Sequence, residues 1–126
     1  MDRLLVAALL VVLFFAPVAL KAAPISADVA VKRLNQEVQV QMKVRSSKLR
    51  ADRDEVDLNS NTSFRDPSNL TVVVDGRVGA WYSFQGIHDL PKFFFGKTIV
   101  VFGIVEQFAD QTRILVVDPS QIQIVK

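Results

Sequence analysis

Seven cationic side chains, Lys32, Arg33, Lys43, Arg45, Lys48, Arg50 and Arg53, fall between residues 32 and 53, against only Glu37 and Asp52. Lys43 and Arg45 share the polar parity of an alternating run. Lys48, Arg50 and Arg53 carry the charge into the hydrophilic segment behind it, and Phe64 with Arg65 follow a few residues later. Cations interleaved with an aromatic ring suit a polyanion with planar groups. In single-strand binding proteins the backbone follows a basic groove and each base stacked on a side chain contributes about 1–3 kcal/mol. The candidate ligand-binding set is therefore Lys43, Arg45, Lys48, Arg50, Arg53, Phe64 and Arg65, with single-stranded nucleic acid or another polyanion as the ligand. A solvated strand face and hairpin is the competing reading of the same residues.

Catalytic chemistry is poorly supplied. The chain has no Cys and one His, His88, in Gly86-Ile87-His88-Asp89, so a thiol nucleophile and an ordinary zinc site lack parts, and His88 reads as a loop or surface residue. Asp52, Asp54, Glu55 and Asp57 imitate a calcium loop, but the glycine and the terminal bidentate Glu are missing at their offsets. Arg50 and Arg53 stand beside these carboxylates and can neutralise them. Because Asp54, Asp57, Arg50 and Arg53 crowd one segment, they offer no separated pair to hold a metal and clamp a phosphate. The expectation is a non-enzymatic protein without catalytic residues, metal or cofactor.

The elements that position these residues are short and mostly extended. Ser26 as N-cap, Asp28 in the first turn and the spacing of Ala27, Ala30, Val31 and Leu34 predict a helix over about 27–34, left at Asn35. Val38, Val40, Met42 and Val44 then alternate with polar residues, the pattern of a strand with one buried face. Ser46 to Asp57 reads as a charged hairpin loop leading to a strand with Val56 and Leu58. Asn59 to Asn69 reads as turns, with Asp66-Pro67-Ser68-Asn69 placed for a type I turn. Leu70 to Val74 is a β-branched strand stopped by Asp75-Gly76, and Arg77 to Phe84 a short helix ended at Gly86. Pro91 to Gly96 carries Phe93-Phe94-Phe95. Three consecutive phenylalanines in an extended segment cannot all face inward, so at least one is exposed and open to a partner. The other aromatics, Trp81, Tyr82, Phe84, Phe102 and Phe108, read as core. Lys97 to Phe108 is a long strand that Gly103 bends or bulges, Thr112 to Val117 pairs back, and Ile122 to Val125 is a terminal extended piece.

The first 22 residues stand apart. Arg3 precedes an apolar run from Leu4 to Leu20, broken by Pro17 and followed by Lys21-Ala22-Ala23, the layout of a secretory signal peptide. The expected division is a signal over 1–22 and one domain over 23–126, secreted or periplasmic, with no transmembrane span once the signal is removed. An uncleaved membrane anchor is the alternative, since the run reaches the short limit for a spanning helix. Setting aside Asp2, Arg3 and Lys21 leaves thirteen basic and twelve acidic residues, a nearly neutral domain. Such a balance gives little general attraction to polyanions and keeps a second class open, a protein-interaction or envelope-assembly module with an envelope protein as partner. The sequons at Asn61 and Asn69 lie where Asn and Ser serve turns, and read as chance.

Five strands with a helix between the third and fourth is the succession of an OB-fold, a small, partly open Greek-key barrel. Residues 25 to 126 resemble the OB-fold domain of small exported bacterial proteins of unassigned function, itself similar to nucleic-acid-binding OB domains of anticodon-binding and helicase type. The resemblance is carried by Ile25-Ser26-Ala27 before the Val38 strand, Leu58-Asn59-Ser60, Phe64-Arg65-Asp66-Pro67, Gly96-Lys97-Thr98-Ile99 with Gly103, and Ile114 through Asp118-Pro119 to Gln121-Ile122. It implies a mainly β, five-stranded barrel whose first hairpin loop borders the binding face. Ala109-Asp110-Gln111 departs from the glycine usual in the last hairpin, which implies a looser or reshaped loop there. An α+β roll is the rival architecture.

Overall fold

The computed structural model describes residues 23–126. The apolar segment read as a signal peptide, residues 1 to 22, lies outside the described residues. The chain order is α1 (Ala27–Ala30), β1 (Glu37–Lys43), β2 (Ser46–Arg50), β3 (Glu55–Asn59), β4 (Thr71–Asp75), α2 (Gly76–Phe84), α3 (Leu90–Phe94), β5 (Thr98–Phe108), β6 (Gln111–Val116), a 3₁₀ turn (Pro119–Gln121) and β7 (Ile122–Ile124). The protein is mainly β, and no described helix is long and apolar enough to cross a membrane.

Seven strands form one mixed sheet in the order β1-β5-β6-β4-β3-β2, with β7 paired to β5 beside that path. All neighbours are antiparallel except β4 and β6, which align Val72 with Ile114 and Val74 with Val116. β5 is long enough to serve two ladders. Its first half pairs with β1, Met42 opposite Ile99, and its second half with β6, Val105 opposite Ile114. The two ends of the path, β1 and β2, have no ladder between them, yet only Val44 and Arg45 separate them in the chain.

That junction corrects the expected five strands. Val44 is held to the segment before β5, its N–H donating to the Lys97 carbonyl at 2.8 Å, while the Arg45 N–H donates to Asn59 on β3 at 2.9 Å. One apolar-alternating run thus changes partner in mid-course and becomes two strands. The parity changes with it. Residues 38, 40, 42 and 44 are buried, but in β2 Ser47 and Leu49 stand opposite the buried Leu58 and Val56. An extra residue in the run accounts for the shift, as at a β-bulge. The expected charged loop 46–57 shrinks to Ala51–Asp54, because cross-strand pairing with β3 holds polar Ser46–Arg50 extended despite its composition.

Two further expectations change. α1 ends at Ala30, and Ser26 stands at its N-cap without a side-chain capping bond; Asn35 takes a left-handed φ of 65° on the way to β1. Phe93–Phe95 is not extended. Asp89 caps α3 by accepting from the Lys92 N–H and Pro91 occupies its first turn, so Leu90 and Phe94 face inward at i, i+4 and Phe95 is left 60 % exposed. α2 buries Val78 and Tyr82 in the same way, and Gly86 leaves it at φ 85°, which glycine adopts without a Cβ clash. Tyr82 meets Phe94 edge-on, centroids 5.5 Å apart. The core is the inner face of the sheet, with Val40, Leu58, Val72, Val101 and Ile114 fully buried, sealed by α2 and α3.

Candidate binding groove

Three connections meet at one end of the sheet: the β2–β3 turn, the long 60–70 segment and the two-residue β5–β6 turn. Each is fixed by local chemistry. The 60–70 segment is tied down by Asn69, which is buried. Its Nδ2 donates to Asn59 Oδ1 at 3.1 Å and Thr71 Oγ1 at 3.2 Å, while its Oδ1 accepts from the Asn61 N–H at 2.9 Å. Asp66 turns the segment by accepting from the Ser68 N–H at 2.9 Å, and this bond holds its carboxyl below the ordinary value. The Asn69 N–H returns to the Asp66 carbonyl at 2.9 Å, closing the turn expected at Asp66-Pro67. The β5–β6 turn is tight rather than loose, with Phe108 paired to Gln111 across Ala109 and Asp110. Ala109 pays with a left-handed φ of 53°.

Between these connections lies a groove of about 280 Å³, lined by Lys48, Arg50, Arg53, Asp57, Phe64 and Phe108 among others. A second hollow of about 200 Å³ shares Phe64, Asp110 and Gln111 with it and adds Arg65 and Thr71. Phe64 is 54 % and Phe108 44 % exposed, so two phenyl rings are offered to solvent within one surface depression. Each carries guanidinium groups: Arg65 lies 5.3 Å from the centroid of Phe64, and Arg113 and Arg53 lie 4.0 and 5.5 Å from that of Phe108. Such contacts fix the rings and the charges relative to one another.

The cations are unequally neutralised. Arg50 Nη1 stands 3.4 Å from Asp57 Oδ2 and its Nε 3.8 Å from Asp52 Oδ1, and Arg53 Nε is 3.9 Å from Asp52 Oδ2. The arginines thus pair with Asp52 and Asp57, while Asp54 and Glu55 of the acidic segment have no basic side chain within 4 Å among the described residues. Arg113 Nε donates to Glu106 Oε1 at 2.8 Å. Lys48 and Arg65 have no carboxylate within 4 Å among the described residues. Asp57 is itself buried, accepting from Arg50 and from Gln111 Nε2 at 3.0 Å, and serves as the anchor that aims them.

Of the seven residues expected to bind, Lys48, Arg50, Arg53, Phe64 and Arg65 come together here. Lys43 and Arg45 do not line either hollow. Lys43 stands opposite Thr98 on the β1–β5 ladder, whereas Lys48 and Arg50 stand opposite Asp57 and Glu55 on the β2–β3 ladder, so the change of partner strand at Val44 and Arg45 separates them. The sequence reading missed Phe108 and Arg113. Phe108 was assigned to the core, although its place at the last residue of β5, beside a turn, marks a side chain that can escape burial. Arg113 becomes legible only through the parallel pairing of β4 with β6. Asn69, a nominal sequon, cannot accept a glycan without leaving its buried bonds. Among the described residues no group of His, Asp and Glu is arranged to hold a metal ion. No protein-family model and no curated protein sequence matches this chain.

Proposed function

We propose that the protein is a non-enzymatic, exported binding module built as an OB-like barrel, and that its groove holds single-stranded nucleic acid. The barrel reading takes β1 and β2 as one strand bent at Val44 and Arg45. The path β1-β5-β6-β4-β3-β2 then begins and ends on the same strand, β7 is an addition, and α2 with α3 falls between the third and fourth strands, as in a partly open five-stranded barrel. On that reading the groove lies among the loops such barrels use for ligands.

The observation that carries the ligand class is the pairing of two exposed phenyl rings, Phe64 and Phe108, with arginines against them and Lys48 lining the same groove. A planar base gains from the rings and its phosphate from the cations, while a duplex hides its bases from both. The test is fluorescence anisotropy with a labelled single strand, the matching duplex and a heparin-like polyanion. Single-strand preference, with Phe64→Ala weakening binding roughly 5- to 100-fold for one lost stack, supports the reading. Equal affinity for heparin and single strand, unmoved by Phe64→Ala, refutes base stacking and leaves charge alone. The second reading, an assembly module, draws on Phe95, which emerges exposed beyond α3. A protein partner retained at high salt and lost with Phe95→Ser would support it.

A further inference from the structure

Arg50 and Arg53 line the basic groove, but the carboxylate that stands between them does not. Asp52 lies in the turn Ala51–Asp54, every residue of which is exposed, and its own side chain is 68 % exposed. Its Oδ1 faces Arg50 Nε at 3.8 Å and its Oδ2 faces Arg53 Nε at 3.9 Å. Each oxygen thus meets a different guanidinium, which is how two oxygens of one phosphate are held by a pair of arginines. Both separations exceed hydrogen-bonding distance, and exposed ion pairs of this kind are weak.

The arginines do not depend on Asp52 for their position. Arg50 donates from Nη1 to Asp57 Oδ2 at 3.4 Å, and Asp57, with its side chain 8 % exposed and a second bond from Gln111 Nε2 at 3.0 Å, is fixed in the sheet. Arg53 lies against the Phe108 ring, 5.5 Å from its centroid. When Asp52 swings out with its turn, two guanidinium groups stay beside the groove without their shared anion. Tethered to the turn, Asp52 stops short of bonding distance on both sides; a phosphate that is not tethered is free to close it.

We propose that Arg50 and Arg53 form the subsite for one phosphate group of the ligand, and that Asp52 occupies it in the free protein and gives way on binding. The inference rests on the nucleic-acid reading of the groove and adds to it a competitor built into the β2–β3 turn. The test is fluorescence anisotropy of the full chain and its variants with a labelled single strand and with an abasic strand of the same length. Asp52→Asn, in an exposed turn where folding is not at stake, is expected to tighten both strands about two- to fivefold, the strength of an exposed ion pair. Asp54→Asn removes the same charge two residues away, from a carboxylate with no basic side chain within 4 Å among the described residues, and Asn tolerates the left-handed φ of 52° there. It is expected to leave affinity nearly unchanged, because a charge with no cation beside it is screened. In an Arg53→Gln background the gain from Asp52→Asn shrinks, since half of the pair that Asp52 holds is gone. No gain from Asp52→Asn, an equal gain from Asp54→Asn, or a gain that Arg53→Gln leaves intact overturns the subsite while single-strand binding stands. The expected gains with both strands bound equally well keep the subsite and overturn base stacking instead. Binding of neither strand overturns both.

Discussion

Asn69 shows how much of this site depends on single side chains. It joins Asn59 and Thr71 of two strands to the backbone of the loop that presents Phe64, all with little access to water. Asn69→Ala removes all of these bonds and leaves the Asn61 N–H without its acceptor, while Asn59 and Thr71 keep the bond between them, and the expected loss is about 2–3 kcal/mol. Thermal unfolding of the variant should fall by about 8–20 °C for a domain of this size, with single-strand affinity reduced as the Phe64 loop loosens. A midpoint unchanged within a degree or two would mean that water replaces these bonds. At this scale the sequence was partly readable: cations and Phe64 announce themselves by type. Asn69 did not, because an Asn in a turn-rich stretch carries no mark of burial.

Among the elements, the β5–β6 turn offers the cleanest test of backbone reasoning. Ala109 holds a left-handed φ in a two-residue hairpin, where a Cβ costs about 1 kcal/mol and glycine costs none. Ala109→Gly is therefore expected to stabilise by up to about 1 kcal/mol, measured by urea unfolding, without displacing Phe108 or Gln111. Destabilisation would show that Ala109 packs in a way its conformation does not reveal. The departure from glycine was visible in the sequence, whereas the tightness of the loop was not. Similar limits governed the strands. Val38 to Val44 alternates so cleanly that its burial follows directly, but the change of partner at Val44 and Arg45 depends on Lys97 and Asn59, residues far away in the chain. β2 is extended because β3 lies beside it, which composition alone cannot express. α3 had its signals, Asp89 and Pro91 at a helix start, and the run of phenylalanines drew attention away from them.

For the whole molecule, the carboxylates set the response to acid. Asp75 is held below the ordinary value by its hydrogen bonds and charge contact with Arg77, Asp118 and Asp66 by the N–H and hydroxyl groups of Ser120 and Ser68, and Asp28 first by Ser26. A depressed folded value means that the stabilisation is complete above the unfolded value, 3.8, and is lost as pH falls through the lower folded one. Stability measured by urea unfolding should be flat in these groups from pH 7 to about 5 and decline below about 4, with the decline shallower in Asp75→Asn. A variant as acid-sensitive as the native chain would assign the decline elsewhere.

The central claim concerns a groove that combines charge with stacking, and the salt dependence of single-strand binding addresses both at once. About four phosphate contacts, from Lys48, Arg50, Arg53 and Arg65, imply a slope of log affinity against log salt near −3 for a single strand. Stacking on Phe64 and Phe108 leaves a residual affinity when the line is extrapolated to high salt. The account predicts that slope, reduced by about 1 in Lys48→Gln with the intercept kept, and an intercept lowered in Phe64→Ala with the slope kept. A slope near zero, or a slope and intercept that neither substitution moves, would contradict it.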